Sequence, residues 1–336
     1  MTNKPIIQNF GIIGGGAWGT ALAMALTRAG RNVTLWAREP EVADTINKDH
    51  ENKLFLPGIK LETSIRATNS LGDLSDCEAL MLVVPVQHMR DICAELSKLS
   101  LKKTAPIIIC SKGIERNTLK MPGEIVSEVL PSHILAILSG PTFAAEIARD
   151  QPAAITLACA DIELGKTLAQ SIGSRTFRPY MSDDIIGAEI GGAIKNVLAI
   201  ACGIVYGRNM GDNARAAIIT RGLAEVMRLG SALGGKNETM MGLSGIGDLI
   251  LTCTSQQSRN TSLGFALGQG KTLSEIMAER NSVAEGVHTA AAAAALANKK
   301  NIDAPIIAAV DAILNKNADI TETVFALLSR PLKSEA

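Results

Sequence analysis

The sequence GGGAWG at residues 14–19 decides the fold of this chain. Residues 6–13 before it form an apolar run that predicts a buried strand, and the alanine- and leucine-rich residues 20–26 after it predict a helix. A second apolar run at residues 32–36 predicts another strand. Strand, glycine turn, helix and strand together predict a βαβ unit near the start of the chain.

Gly14, Gly16 and Gly19 within this stretch have the spacing G-x-G-x-x-G. In a dinucleotide-binding unit the first glycine forms a tight turn, the second leaves room for a pyrophosphate, and the third allows close packing of helix on strand. The pyrophosphate lies at the positive end of the helix dipole. A glycine turn that merely connects strand to helix is the alternative, but both flanks have the context that dinucleotide binding requires. We therefore predict that these glycines bind a dinucleotide.

The composition narrows the class of protein. A chain of 336 residues that is 47% hydrophobic is long enough for two domains with cores of their own. Lys plus Arg equals Asp plus Glu at 33 each and aromatic residues make up only 3%, which argues against a nucleic-acid-binding protein. The six cysteines are scattered through apolar runs without a C-x-x-C pair, which indicates reduced core residues of a cytosolic protein.

The sequence indicates neither a secreted or membrane protein nor a metal site or a hydrolase. Because residues 1–5 lead directly into the first strand, we expect no signal peptide. We also expect no membrane insertion, since no apolar run approaches the ~20 residues of a membrane helix. The sequence has no H-E-x-x-H motif, no Cys/His cluster and no G-x-S-x-G motif, so we expect neither a metal site nor a hydrolase.

Along the rest of the chain, strands and helices alternate and then give way to helices. Strands are predicted at residues 79–85, 106–110, 134–138, 153–158 and 176–180, and helices at residues 42–56, 86–99 and 161–172. From residue 185 the strand signal fades, and long helices are predicted at residues 189–205 and 213–233. The predicted fold is therefore α/β, with an N-terminal Rossmann-like sheet domain (residues 1–184) followed by an all-helical C-terminal domain (residues 185–330).

Arg38 and Glu39 follow the second predicted strand, where such folds bind the adenosine ribose. An acidic residue there binds the ribose hydroxyls, whereas an arginine accepts the 2′-phosphate of NADP(H). The two residues give a mixed signal that favours NADP(H) without excluding NAD(H). A solvated surface pair is the alternative.

Lys112 and Thr142 follow the strands at residues 106–110 and 134–138. Ligands of open α/β sheets bind in the crevice at the carboxyl ends of the strands, so we expect Lys112 to contact a ligand. A solvated lysine is the alternative. Thr142, in the turn that also contains Gly140, has a helix N-cap as its simpler role.

Lys195 lies in a predicted helix that is apolar almost all round, so it is not part of a solvated face. Burying an unpaired ammonium is costly, and Asp248, a lone carboxylate in the apolar stretch GLSGIGDLIL, is its natural counter-charge. A structural ion pair is the alternative to a catalytic role. Gly191 and Gly192 are unfavourable in a helix, so we expect another element to lie close against the backbone there.

Residues 254–261, TSQQSRNT, are rich in hydrogen-bond donors and include one cation, Arg259. The planar fork of donors on an arginine suits an anionic head group such as phosphate. We therefore predict an anion site here, with an ordinary polar turn as the alternative.

Six motifs in this order, GGGAWGTALA, SKG, SGPTFAAE, EIGGAIKN, GLSGIGDLILTC and SRN, resemble the bacterial NAD(P)-dependent glycerol-3-phosphate dehydrogenases. The resemblance extends from about residue 10 to residue 285. It implies a homodimer that uses NADPH or NADH to reduce dihydroxyacetone phosphate to sn-glycerol 3-phosphate for glycerophospholipid synthesis.

The resemblance also implies roles for individual residues. Lys195 would donate and accept the proton, with Lys112 and Asp248 beside it. The implied substrate contacts are Lys112, Gly140, Thr142, Lys195, Asp248, Ser258, Arg259 and Asn260. Besides Gly14, Gly16 and Gly19, the implied cofactor contacts are Ala17, Trp18, Arg38, Lys112, Ala144, Arg259, Val283 and Glu285. The chain departs from relatives that often carry serine where it has Ala17, which removes only a side-chain contact to phosphate.

Two other functions stay open on the sequence alone. One is a different two-domain dehydrogenase, such as the hydroxyisobutyrate or phosphogluconate enzymes, although the Ser258–Asn260 cluster speaks against it. The other is a nucleotide sensor without catalysis, which would leave a buried lysine opposite a lone carboxylate without a purpose.

Overall fold

The structure, a computed structural model, describes residues 6–279 and 284–331. In these residues eight strands form one sheet. The strands are β1 (Asn9–Ile13), β2 (Asn32–Trp36), β3 (Arg66–Thr68), β4 (Ala79–Leu82), β5 (Ile107–Ile109), β6 (Leu135–Ser139), β7 (Ala153–Cys159) and β8 (Phe177–Ser182). The helices of this sheet region are α1 (Ala17–Arg28), α2 (Pro40–Asp49), α3 (Val86–Leu96), α4 (Pro122–Val129), α5 (Ala144–Ala148) and α6 (Ile162–Ile172), with a 3₁₀ turn at Leu71–Leu74.

The strand order is β3-β2-β1-β4-β5-β6-β7-β8. The first six strands are parallel and have the order of a doubly wound dinucleotide-binding sheet, whereas β7 is antiparallel to β6. Ile13, Leu82 and Ile109, the last residues of β1, β4 and β5, are in register. The loops that carry the glycine turn and Lys112 therefore leave the same edge of the sheet.

Helices alone follow the sheet in the described residues. This helical region consists of α7 (Ile185–Gly207), α8 (Asp212–Ala232), α9 (Asn237–Met240), α10 (Asp248–Thr254), α11 (Arg259–Gly268), α12 (Leu273–Ala278), α13 (Glu285–Lys299), α14 (Pro305–Asn315) and α15 (Ile320–Leu328). A π-helical turn at Leu243–Gly247 leads into α10. The predicted fold class, a Rossmann-like sheet followed by a helical domain, is confirmed.

The sheet has an apolar core on each face because alternate strand residues point to opposite sides. In β1, Ile12 packs with α1 and α2 on one face, whereas Ile13 packs with α3 and α4 on the other. The third core surrounds α7 and includes side chains of α8, α10, α11, α13 and α14. All six cysteines are buried and free, as the sequence predicted.

Helix α7 is 23 residues long and almost entirely buried. By length and composition it is apolar enough to cross a membrane, so the expectation that no segment approaches that length is wrong. The helix instead forms the centre of the helical region, where neighbouring helices cover it on all sides.

Glycines bring α7 and α11 into close contact. A Cβ atom on Gly203 would lie 2.7 Å from the backbone nitrogen of Phe265, and one on Gly268 would lie 3.0 Å from the Cα atom of Gly207. A Cβ atom on Gly264 would overlap the carbonyl oxygen of Ile200. The two backbones therefore approach more closely than any larger residue at these positions would allow.

One prediction of secondary structure is wrong, and strand β3 and helix α4 were not predicted. The helix predicted at residues 42–56 ends at Asp49, because His50 adopts a left-handed conformation with φ 52° and Asn52 turns into the interior. Strand β3 was not predicted, since three residues are too short to show an alternating pattern. Helix α4 was also missed, although Pro122 at its first turn and Glu124 two residues later are signals of a helix start.

Candidate active site

The glycine turn between β1 and α1 has the geometry of a pyrophosphate site. Gly14 has φ 132°, and a Cβ atom there would lie 2.8 Å from the carbonyl oxygen of Val83. A Cβ atom on Gly19 would overlap the carbonyl oxygen of Gly14, so α1 packs directly on the turn. Gly16 faces open space, with no heavy atom of the described residues within 4 Å of a Cβ position. A tight turn, an open site and close packing are the three properties that a dinucleotide requires.

The start of α1 is suited to an anion. Gly16 is its N-cap and provides no side chain to bind the first free amides. Ala17 and Trp18 form the first turn, which contains no acidic residue that would repel a phosphate. The backbone amides and the positive end of the helix dipole are thus left for a ligand.

Arg38 and Glu39 follow β2 and form an ion pair with each other. The Nη2 atom of Arg38 lies 2.8 Å from Oε1 of Glu39, and the Nε atom donates to the same oxygen at 3.2 Å. The Arg38 side chain is 73% exposed. A 2′-phosphate would therefore have to draw the guanidinium away from a carboxylate that repels it.

Lys112, Lys195 and Asp248 meet at the carboxyl edge of the sheet. Lys195 on α7 donates from Nζ to Oδ1 of Asp248 at 2.5 Å, and Lys112 after β5 donates to Oδ2 at 2.5 Å. Asp248, at the start of α10, is fully buried. Each of its two carboxylate oxygens accepts from one of the two ammonium groups. Lys195 also donates to Oγ1 of Thr252 at 2.9 Å, and Lys112 to the carbonyl of Gly140 at 3.2 Å.

Gly191 and Gly192 allow these elements to converge one turn before Lys195. A Cβ atom on Gly191 would lie 2.9 Å from the Cα atom of Gly245 in the π-helical turn. A Cβ atom on Gly192 would lie 2.7 Å from Oγ of Ser139 and 3.3 Å from Cγ of Lys112. Another element does lie close against both glycines, as the sequence predicted.

The electrostatic environment makes Lys195 a weaker base than a free lysine. Burial, which disfavours the charged ammonium, lowers the pKa of Lys195 from 10.5 to about 8. The carboxylate of Asp248 acts in the opposite direction, and the nearby charge of Lys112 again lowers the pKa. A lysine with a pKa near neutrality can exchange a proton with a substrate.

The predicted anion cluster forms the N-terminus of α11. Ser258 is the N-cap, and its Oγ accepts from the backbone nitrogen of Thr261 at 3.2 Å. Arg259 is the first helical residue and is exposed. The location of both at a helix N-terminus favours the binding of an anion such as phosphate.

Asn260 is buried and connects three helices. Its Nδ2 donates to Oδ1 of Asn196 on α7 at 2.9 Å, and its Oδ1 accepts from the backbone nitrogen of Gly286 on α13 at 3.1 Å. The side chain thus binds protein groups, and its contact with substrate stays a prediction.

The other predicted contacts lie at the starts of helices around the same site. Thr142 donates to the carbonyl of Gly140 at 3.3 Å, and Ala144 begins α5. Glu285 begins α13; burial raises the pKa of its carboxyl, and the charges of Arg259, Lys112 and Lys195 oppose that effect. Val283 lies outside the described residues.

Sequence reasoning did not select Thr252, which contacts both members of the buried pair. Its Oγ1 lies 2.9 Å from Nζ of Lys195 and 3.4 Å from Oδ1 of Asp248. The signal was available, because a residue four positions after Asp248 lies on the same face of a helix.

Comparisons with known proteins agree with this geometry. Models of the N-terminus and the C-terminus of NAD-dependent glycerol-3-phosphate dehydrogenase match residues 9–165 and 184–325. The glycerol-3-phosphate dehydrogenase (NAD(P)+) of Rhodospirillum rubrum is 56% identical over 331 residues, which cover 98% of this chain and 95% of that protein. The corresponding protein of Parvibaculum lavamentivorans is 54% identical over 328 residues, 98% of each chain.

A solved structure extends the likeness to the whole fold. The crystal structure of glycerol-3-phosphate dehydrogenase from Coxiella burnetii has 37% identity and a TM-score of 0.93, and covers 97% of this chain and 100% of that one. With both halves and the full length matched, this chain belongs to the family of NAD-dependent glycerol-3-phosphate dehydrogenases.

Proposed function

We propose that this chain transfers a hydride between NAD(P)H and dihydroxyacetone phosphate to form sn-glycerol 3-phosphate. The observation that carries the proposal is the buried Asp248 carboxylate held between the ammonium groups of Lys112 and Lys195. The arrangement supports the proposal because Lys195 would serve as the proton donor and Lys112 as a second positive charge, both beside the crevice where a doubly wound sheet binds its ligands.

The protein supplies the proton and the positive charge of the reaction. When bound, the nicotinamide supplies the hydride that reduces the C2 carbonyl. Lys195 donates a proton to the oxygen on which negative charge develops, and a pKa of about 8 suits that task. Lys112 stabilises the same charge, and Asp248 holds both ammonium groups in place.

Binding groups surround this centre on several elements. Ser258 and Arg259 at the start of α11 would bind the phosphate of the substrate. Gly140 and Thr142 would contact the rest of the substrate. The proposed cofactor contacts are Gly14, Gly16, Ala17, Trp18, Gly19, Arg38, Lys112, Ala144, Arg259, Val283 and Glu285.

We further propose a division into domains at residues 184/185, supported by the end of β8 at Ser182 and the start of α7 at Ile185. We also propose that the protein is a cytoplasmic homodimer that does not insert into membranes and supplies glycerophospholipid synthesis. The burial of α7, the helix apolar enough for a membrane, supports the absence of insertion.

The decisive experiment follows the absorbance of NADPH, and separately of NADH, on addition of dihydroxyacetone phosphate. Rapid oxidation with Lys195-dependent turnover is the expected result. Cofactor binding without turnover on any ketone would favour the nucleotide sensor, and turnover only on 2-oxo acids or sugar phosphates would favour another dehydrogenase.

A further inference from the structure

A buried polar network lies beneath the glycine turn and involves a residue outside every motif discussed above. Asn52 follows α2 and is fully buried. Its Nδ2 donates to the carbonyl oxygen of Gly15 at 2.8 Å and to Oγ1 of Thr20 at 2.8 Å. Both amide hydrogens of Asn52 are therefore directed at the turn and at the helix that follows it.

The network continues on both sides of Asn52. Thr20 donates from Oγ1 to the carbonyl oxygen of Gly16 at 3.0 Å, so Asn52 reaches Gly16 through Thr20. The Oδ1 atom of Asn52 accepts from the backbone nitrogen of Phe55 at 3.1 Å. The orientation of the amide is thus fixed by three partners, and the carbonyls of Gly15 and Gly16 are both held from the protein interior.

Holding these two carbonyls fixes the direction of two amides. In a planar trans peptide the C=O and N–H groups point in opposite directions. The N–H groups of Gly16 and Ala17 consequently point away from Asn52, and Gly16 has open space beside it. Glycine on both sides of the Gly15–Gly16 peptide would otherwise leave it free to adopt other orientations.

We propose that Asn52 is a positioning residue for the cofactor: it orients the turn so that its amides face the pyrophosphate. The inference rests on the proposed function for the nature of the ligand. It assigns no contact between Asn52 and the cofactor. A purely structural role, in which Asn52 only ties residues 52–56 to α1, would change stability without changing the affinity for the cofactor.

The experiment measures the dissociation constant of NADPH from the quenching of tryptophan fluorescence, since Trp18 lies in the first turn of α1. Asn52→Ala is expected to raise this constant about tenfold or more, with kcat at saturating cofactor and KM for dihydroxyacetone phosphate changed by no more than about twofold. Thr20→Val, which keeps the shape of the side chain, is expected to act in the same direction and tests the network should Asn52→Ala not fold.

Asn47 provides the matched control. It is an exposed asparagine on α2 that also makes two bonds to backbone, donating to the carbonyl of Ala67 and accepting from its nitrogen, each at 2.9 Å. Asn47→Ala should lower stability and leave the NADPH dissociation constant unchanged. Folded Asn52→Ala and Thr20→Val proteins that bind NADPH like the wild type would overturn the inference. Failure of the wild type itself to bind either NADPH or NADH would instead overturn the proposed function.

Discussion

One buried carboxylate organises the chemistry at the scale of residues. Asp248 accepts a hydrogen bond from Lys195 on one oxygen and from Lys112 on the other. Removing either lysine leaves one buried oxygen of Asp248 without its hydrogen-bond donor, and removing the carboxylate leaves two ammonium groups close together in a buried site. The three side chains therefore act as a unit.

The pH dependence of the reaction should report Lys195. Its pKa of about 8 means that the protonated form, the proton donor for ketone reduction, is lost as pH rises through about 8. We expect kcat/KM for reduction to fall, and kcat/KM for oxidation of glycerol 3-phosphate to rise, over that range.

Lys195→Met should lower kcat by ~10²–10⁴ and abolish this titration. The matched control is Lys166→Met, which replaces an exposed lysine paired with Glu163 on α6. Steady-state rates across the pH range check both variants, and an unaltered pH profile in Lys195→Met would contradict the assignment.

Cofactor preference is a second property of single residues. Arg38→Ala should raise KM for NADPH ~tenfold and change KM for NADH little, because only NADPH has a 2′-phosphate. Glu39→Gln should lower KM for NADPH, since it releases Arg38 from its ion pair and removes a repelling charge. Initial rates measured with each cofactor give the KM for NADPH and the KM for NADH in each variant. Equal effects on both cofactors would show that Arg38 does not bind the 2′-phosphate.

The sequence predicted part of this residue-level organisation. A lysine in an otherwise apolar helix required a counter-charge, and Asp248 was identified because it is a lone carboxylate in an apolar stretch. Lys112 was predicted as a ligand contact, but its bond to Asp248 was not, because 136 residues separate the two in the chain. Asn52 gave no signal, since two of its three partners are the backbone groups of Gly15 and Phe55 and the third is the hydroxyl of Thr20.

At the scale of elements, α11 depends on its glycines. Gly264→Ala would place a methyl group against the backbone of Ile200. The methyl carbon would overlap the carbonyl oxygen of Ile200 and lie 2.9 Å from its carbonyl carbon. We expect a loss of about 1–3 kcal/mol in the free energy of unfolding. Because α11 begins with the predicted phosphate site, KM for dihydroxyacetone phosphate should rise as well.

Gly72→Ala is the control for this variant. It has the nearest neighbouring atom, Oγ of Ser70, at an ordinary distance of 3.5 Å from its Cβ position, and should change stability by less than about 0.5 kcal/mol. Urea unfolding measures the free energy of unfolding of both variants. A Gly264→Ala protein as stable as the wild type would mean that α7 and α11 separate without cost.

Helices and strands with a clear hydrophobic periodicity, or with glycine and proline at their ends, were predictable from the sequence. Elements whose conformation depends on tertiary contacts were not. The apolar strands and the long helices α7 and α8 were identified from pattern alone. The π-helical turn at Leu243–Gly247 was not, because it forms where its backbone packs against Gly191. The end of α2 depends on the left-handed His50, which no pattern of hydrophobicity indicates.

At the scale of the molecule, Glu189 joins the helical region to the sheet region. This buried residue of α7 accepts from the backbone nitrogen of Gly123 in α4 at 2.7 Å. Burial raises the pKa of Glu189 from 4.5 to about 8. The folded protein therefore holds a proton that the unfolded chain releases above its own pKa, and stability contributed by this residue is lost as pH rises from about 4.5 through about 8.

Glu189→Gln should remove that dependence, because the amide oxygen keeps the bond to Gly123 and does not ionise. We expect the variant to match the wild type at about pH 5 and to be more stable, by on the order of a few kcal/mol, at about pH 9. Glu95→Gln, at an exposed position on α3, should leave the difference between the two pH values unchanged. Equal pH dependence in wild type and Glu189→Gln would refute the prediction.

The division into a sheet followed by helices was visible in the sequence because strand patterns stop near residue 185. How the two halves meet was not, since the contacts of Glu189 with α4 and of Asp248 with Lys112 join segments 66 and 136 residues apart. Such contacts depend on the packing of whole elements, and neither was predicted. The requirement that buried charges be paired predicted only the contact of Lys195 with Asp248, which lies within the helical region.

The sharing of Asp248 between two lysines also constrains how this protein can evolve. A substitution at Lys112, Lys195 or Asp248 changes the effect of a substitution at either of the others, so the three positions are epistatic. A lineage that loses one of them passes through an ancestor in which a buried carboxylate oxygen lacks its donor or two ammonium groups face each other, and selection against that ancestor keeps all three together. We therefore expect these three positions to be retained or replaced together.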